Sequence, residues 1–142
     1  MFSLTPDKIN DIAQDLDCGF TCYLNKKTGE HITIPNNFHL DDTGAWDELV
    51  SEVEKNRGRY LQIEPLESFE SFRMMENFID SLPDQLELKS QLYKAIHMRK
   101  PFAHFKVAIG NSGKFREQWF AFKNQTLIEY VKQQVELALN DD

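Results

Sequence analysis

Between Phe20 and Ile34 the sequence FTCYLNKKTGEHITI alternates apolar and polar residues with a period of two, broken once at KKTG. Phe20, Cys22 and Leu24 alternate with Thr21, Tyr23 and Asn25; Ile32 and Ile34 then alternate with His31 and Thr33. A period of two sends successive side chains to opposite sides of an extended chain, so the stretch reads as a β-hairpin with one buried face. Gly29 supplies the positive φ that a short connection needs. No other stretch limits the fold so tightly. A lone hairpin is marginal in water, so further elements must cover its apolar face.

The flanking segments supply them. In LTPDKINDIAQDLDCG, Thr5 is a natural N-cap, Pro6 sits at the first helical position, and Asp7 suits the positive end of the helix dipole. Ile9, Ile12, Ala13 and Leu16 share one face, and Gly19 provides a left-handed stop. Asp7, Asp11 and Asp15 form an acidic row, readable as a solvated face or a docking face. PNNFHLDDTG is rich in turn residues and reads as loop. AWDELVSEVEKNRG predicts a short helix with Trp46, Leu49, Val50 and Val53 inward, ended by Gly58. RYLQIEP predicts a third strand stopped by Pro65; reached through a helix, it can pair parallel to the hairpin, and the strand order stays open.

From Ser68 onward the periodicity is helical throughout. Ser68 is the candidate N-cap of a helix carrying Phe72, Met75, Ile79 and Leu82 on one face, with Phe78 widening it and Pro83 after its end. Leu88, Leu92, Ala95 and Ile96 mark a second helix. A third starts at Pro101 and stops at Gly110, and a long fourth begins near Lys114, with a bend expected near Asn124. The fold class is α+β: a small N-terminal sheet, hairpin plus one strand, with helices, followed by a C-terminal all-helical half. We expect a single domain over residues 1–142, with an α/β part at 1–66 and a helical part at 67–142. With 41% hydrophobic residues and eleven phenylalanines, the chain has enough apolar surface to build a core without staples.

The N-terminal MFSLTPDKIN has neither a basic leader nor an apolar core, apolar runs are only a few residues long, and ALNDD carries no lipidation box. These features predict a cytoplasmic protein with no membrane partner. Cys18 and Cys22, with His31 and His39 downstream, are spaced unlike a zinc finger and read as two reduced thiols. NKKTGE lacks the upstream glycine and the Gly-Lys-Ser/Thr order of a phosphate loop, so no cofactor is predicted.

The segments CYLNKKTGE (22–30), GRYLQIEPLES with FESF and MENFIDSL (58–82), RKPFAHFK (99–106) and REQWFAFKNQTL (116–127) are similar to a bacterial group known as uncharacterised protein family 0158. The matches span nearly the whole chain in family order. The resemblance implies a small bacterial cytoplasmic protein and transfers no activity or catalytic residue.

Charge singles out one region. The chain carries a formal net charge of −7, yet between His97 and Lys123 six Lys or Arg face one acid, Glu117, a local +5. Such a segment is either a footprint for an anion or the complement of the protein's own acidic half. Helical spacing puts Phe102, Phe105 and Ile109 on one face, so RKPFAHFK is expected to bury both phenylalanines and turn Lys106 outward. Phe115, Trp119 and Phe122 form a core stripe, and Arg116, Phe120, Lys123 and Leu127 form the adjacent row. Phe120 then lies between two cations, an arrangement suited to stacking a base while the cations hold phosphates. Equally, Phe120 and Leu127 widen the apolar stripe against another helix.

The candidate binding residues are therefore Arg99, Lys100, Lys106, Lys114, Arg116, Phe120 and Lys123, on a non-enzymatic module for nucleic acid or an acidic protein partner. His97 and His104 read as surface or half-buried imidazoles, with no nucleophile placed beside them. A second possibility is a metal-dependent hydrolase using Asp41, Asp42 and Glu67. A third is an interaction protein using the Asp7-Asp11-Asp15 face.

Overall fold

In the computed structural model, residues 4–36 and 43–140 are described. The chain gathers into two compact units, Met1–Pro65 with Leu127–Asp142, and Leu66–Thr126. The secondary structure is α+β, with a three-stranded antiparallel sheet in the N-terminal part and a helical C-terminal part.

In the first unit, helix α1 (Pro6–Asp17) starts as its sequence dictates. Thr5 is extended, and its hydroxyl accepts the Lys8 amide hydrogen bond at 3.2 Å. Ile12, Ala13 and Leu16 of α1 are buried, and the helix packs on strand β1 (Phe20–Asn25). Gly19, at φ +87°, makes the turn between them, a conformation that L side chains rarely adopt. Strand β2 (His31–Pro35) pairs antiparallel with β1, matching Thr21 to Ile34, Tyr23 to Ile32 and Leu24 to His31. In the connection, Asn25 Oδ1 accepts from the amides of Lys27 (2.8 Å) and Thr28 (3.1 Å), and Gly29 takes φ +76°.

This register corrects the expectation of a single buried face. Paired residues share a face, so Ile32 and Ile34 lie with Tyr23 and Thr21, opposite Cys22 and Leu24. Cys22, Leu24 and Ile63 are buried on one side and Thr21 and Ile34 on the other. The buried Thr21 hydroxyl is satisfied by the Asn36 side chain.

Helix α2 (Asp47–Lys55) buries Val53, while Trp46, Leu49 and Val50 are only half-buried. A 3₁₀ turn at Arg57–Arg59 leads into β3 (Tyr60–Ile63). Strand β3 lies antiparallel to β1, which corrects the parallel pairing considered from the sequence; the order is β2-β1-β3. The crossover through α2 does return β3 in the direction of β2, but β2 already holds one edge of β1. The free edge of β1 is the one β3 takes. Farther along the chain, Leu127 and Val131 are buried and the Tyr130 hydroxyl donates to the Glu64 carbonyl at 2.9 Å.

The second unit is built from helices. Helix α3 (Ser68–Asp80) is capped one residue earlier than its sequence suggests. Glu67 rather than Ser68 is the N-cap, and Glu70 Oε1 accepts the Glu67 amide at 3.2 Å in a reciprocal capping box. Lys89 Nζ donates to Asp84 (2.7 Å) and to the Leu82 carbonyl (3.0 Å), tying the turn to helix α4 (Glu87–Ile96). Helix α5 (Pro101–Gly110) follows, and helix α6 runs from Lys114 to Asn140 as one continuous helix through Asn124. No Gly or Pro interrupts α6, so nothing in it forces the expected bend.

Met75, Phe78, Ile79, Leu92, Ile96, Phe105, Ile109 and Trp119 form the unit's core. Trp119 is its hub, meeting Phe105 edge-on at 4.8 Å and Phe78 at 5.3 Å between ring centres. Each such pair contributes roughly 0.5–1.5 kcal/mol beyond its buried area.

Candidate functional site

Helix α5, PFAHFKVAIG, is apolar on almost every side. One side of such a helix goes into the core and the opposite side is left without cover. Phe105 and Ile109 are 2% and 3% exposed, whereas Val107 is 64% exposed and Phe102 43%. The expectation that both phenylalanines face the core therefore holds for Phe105 alone. Phe102, in the first helical turn, meets Phe72 edge-on at 6.5 Å and leaves its other side open.

Next to this uncovered side runs the start of α6. Together with Met75 of α3, the two helices line a half-open cavity of about 630 Å³ whose lining includes Phe102, Val107, Ile109, Trp119 and Phe120. That is within the usual range of about 300–1,000 Å³ for ligand pockets. Lys106, Arg116 and Lys123 line the same cavity, and among the described residues no carboxylate, histidine or cysteine does.

The row read from helical spacing is assembled as far as Lys123. The Arg116 guanidinium carbon lies 5.1 Å from the centre of the Phe120 ring and Lys123 Nζ lies 5.2 Å from it; Lys123 Nζ also approaches Trp119 at 5.9 Å. A cation over a ring at this distance gains about 0.5–1 kcal/mol at an exposed site. The ring thus holds both long side chains at the cavity mouth, so less rotamer freedom is lost when they meet an anion. Phe120 itself is 40% exposed. Leu127 leaves the row: it is 4% exposed and belongs to the core of the other unit.

The remaining sequence candidates lie off the cavity. Lys114 rests over Phe115 at 5.3 Å, and Arg99 is exposed before α5. Lys100 is the N-cap of α5 with φ +59°, so its contribution there is a left-handed turn of the backbone. Among the described residues, neither Lys106 nor Arg116 takes part in an ion pair. Sequence reasoning missed Phe102 and Val107 as lining residues. The signal was present: α5 is so nearly apolar throughout that part of its apolar surface is left facing water beside His104 and Lys106.

The other candidate chemistries are dispersed. Glu67 is engaged in the capping box of α3, while Asp41, Asp42 and His39 lie outside the described residues. Among the described residues no three His, Cys, Asp or Glu gather closely enough to hold a metal ion. Cys22 is buried in β1, where burial and the nearby Asp15 carboxylate push its thiol up to about 12; Cys18 is exposed at the end of α1. Asp15 approaches His31 Nε2 at 3.6 Å, which removes it from a simple solvated row with Asp7 and Asp11. Its carboxyl is raised above the usual range mainly by burial, against the lowering effect of His31. His97 and His104 are exposed, and His97 Nδ1 lies 2.7 Å from the Tyr93 carbonyl. Among the described residues no helix is long and apolar enough to cross a membrane.

Residues 4–140 match a family described as "Uncharacterised protein family (UPF0158)". A curated relative, UPF0158 protein PA5073 of Pseudomonas aeruginosa strain PAO1, is 27% identical over 124 residues, covering 87% of this chain and 76% of the relative. No solved structure matches the chain significantly.

Proposed function

We propose that this chain, which belongs to the uncharacterised protein family UPF0158, is a non-enzymatic binding module that holds an anionic macromolecule, a nucleic acid or an acidic protein, at the cavity between α5 and α6. One observation carries this reading: Arg116 and Lys123 lie 5.1 and 5.2 Å from the centre of the Phe120 ring, and all three line an apolar cavity that Lys106 also lines. Three cations over an apolar floor suit a ligand with negative groups and an apolar body. Among the described residues the floor carries no carboxylate, imidazole or thiol, which suits binding contacts better than a general acid–base pair.

The test is a titration of labelled single- and double-stranded oligonucleotides and of an acidic polypeptide, at about 50 and 200 mM salt. Binding of one of these probes is expected at the lower salt and weaker binding at the higher. For a nucleic acid, each phosphate contact should contribute about 0.7–0.9 to the slope of log affinity against log salt. Arg116→Glu with Lys123→Glu should abolish it. Absence of binding by every probe at low salt, or binding indifferent to the charge reversal, contradicts the reading.

A further inference from the structure

Resting on that reading, we infer that the groove between α5 and α6 takes an acidic amphipathic helix of a protein partner, with apolar residues in the cavity and Asp or Glu against Lys106, Arg116 and Lys123. A nucleic acid is disfavoured by what the rings are doing. A stacking surface needs ring faces open to a base. Phe120 already has two cations of its own chain over its ring, at 5.1 and 5.2 Å from the centre. Trp119 is 7% exposed and packed by Phe78 and Phe105, and Phe105 is itself buried. The exposed floor is instead completed by Val107 and Phe102, shapes suited to aliphatic side chains.

Charge points the same way. A domain that grips nucleic acid carries a broad basic face and a high pI. Here the net charge is −7 and the pI about 5.1, the opposite of that pattern, and the cations of the groove form one short rim. An acidic helix needs no more than that rim. Its charges fall within one or two turns, and its apolar residues at i, i+3 or i+4, and i+7 supply the rest of the binding energy, as in other helix-in-groove complexes. The complementarity is one-signed, because among the described residues no acid lines the groove to oppose those of the partner.

The experiment is selection of binders from a random peptide library displayed on phage, followed by synthesis of the enriched peptides and titration monitored by anisotropy. The enriched sequences should combine apolar residues at helical spacing with flanking Asp or Glu. Their affinity should fall at least tenfold with Val107→Glu and at least tenfold with Lys106→Glu plus Arg116→Glu. Leu137→Glu, at an exposed position of the other unit, should leave it unchanged, and circular dichroism should show all variants folded. The inference is overturned if no peptide is enriched, if enriched peptides lack acids or helical spacing, or if they bind Val107→Glu unchanged. Binding of oligo(dT) that depends on Arg116, with no enriched peptide, overturns the choice of partner but keeps the binding module. Failure of both kinds of probe removes the binding module as well.

Discussion

Raising the pH should destabilise this protein through one thiol. Cys22 lies on β1 with none of its surface exposed, and burial, aided by the Asp15 carboxylate, pushes its pKa from 9.0 up to about 12. The folded state therefore resists an ionisation that the unfolded chain accepts from pH 9 upward. Stability from this group is fully present below pH 9 and drains away as pH rises towards 12. A gap of three units corresponds to about 4 kcal/mol when complete, and to about 3 kcal/mol at pH 11, as an order of magnitude. Cys22→Ala removes the effect and costs about 1 kcal/mol of packing at pH 8. Urea unfolding followed by far-ultraviolet circular dichroism at pH 8 and pH 11 should show the parent more stable at pH 8 and the variant more stable at pH 11. Tyr23, also raised chiefly by burial, titrates in both proteins and drops out of the difference. Equal losses in parent and variant would falsify the assignment of this alkaline instability to the buried thiol.

The remaining expectations concern the hub of the helical core and the second cysteine. Trp119→Ala should cost about 3–5 kcal/mol in urea unfolding, because it empties the space between Phe78 and Phe105; Trp119→Phe should keep most of that stability, and equal losses for the two would refute the packing role. With a thiol reagent at pH 8, exposed Cys18 should react within the mixing phase and Cys22 only at the rate of unfolding; two fast thiols would contradict the burial of β1.

Much of the fold was legible because local chemistry and tertiary context agree. The alternation from Phe20 to Ile34, Gly29 in the loop and Thr5 before Pro6 each state a local geometry, and each appears where its residues place it. The misplacements arise where a partner decides. Ile32 and Ile34 alternate properly, but only the register across the loop determines that they oppose Cys22 and Leu24, and a one-residue change in that register would exchange the faces. Whether β3 pairs with β1 or with β2 depends on which edge of the hairpin it takes, which no residue of RYLQI encodes.

The site was half legible for the same reason. Arg116, Phe120 and Lys123 meet because a single helix fixes their spacing, whereas their joining Lys106, Phe102 and Val107 depends on how α5 docks beside α6. Lys114 and Lys100 belong to the basic stretch by sequence, but their positions on the helices leave them off the cavity.

The measurement that bears most directly on the central claim is the map of amide chemical-shift changes as a bound peptide or oligonucleotide is titrated into isotope-labelled protein. Changes concentrated at Lys106, Val107, Arg116, Phe120 and Lys123, and absent in Arg116→Glu with Lys123→Glu, are what the groove between α5 and α6 predicts. Changes centred instead on α1 around Asp7 and Asp11, with those five residues unmoved, would contradict it.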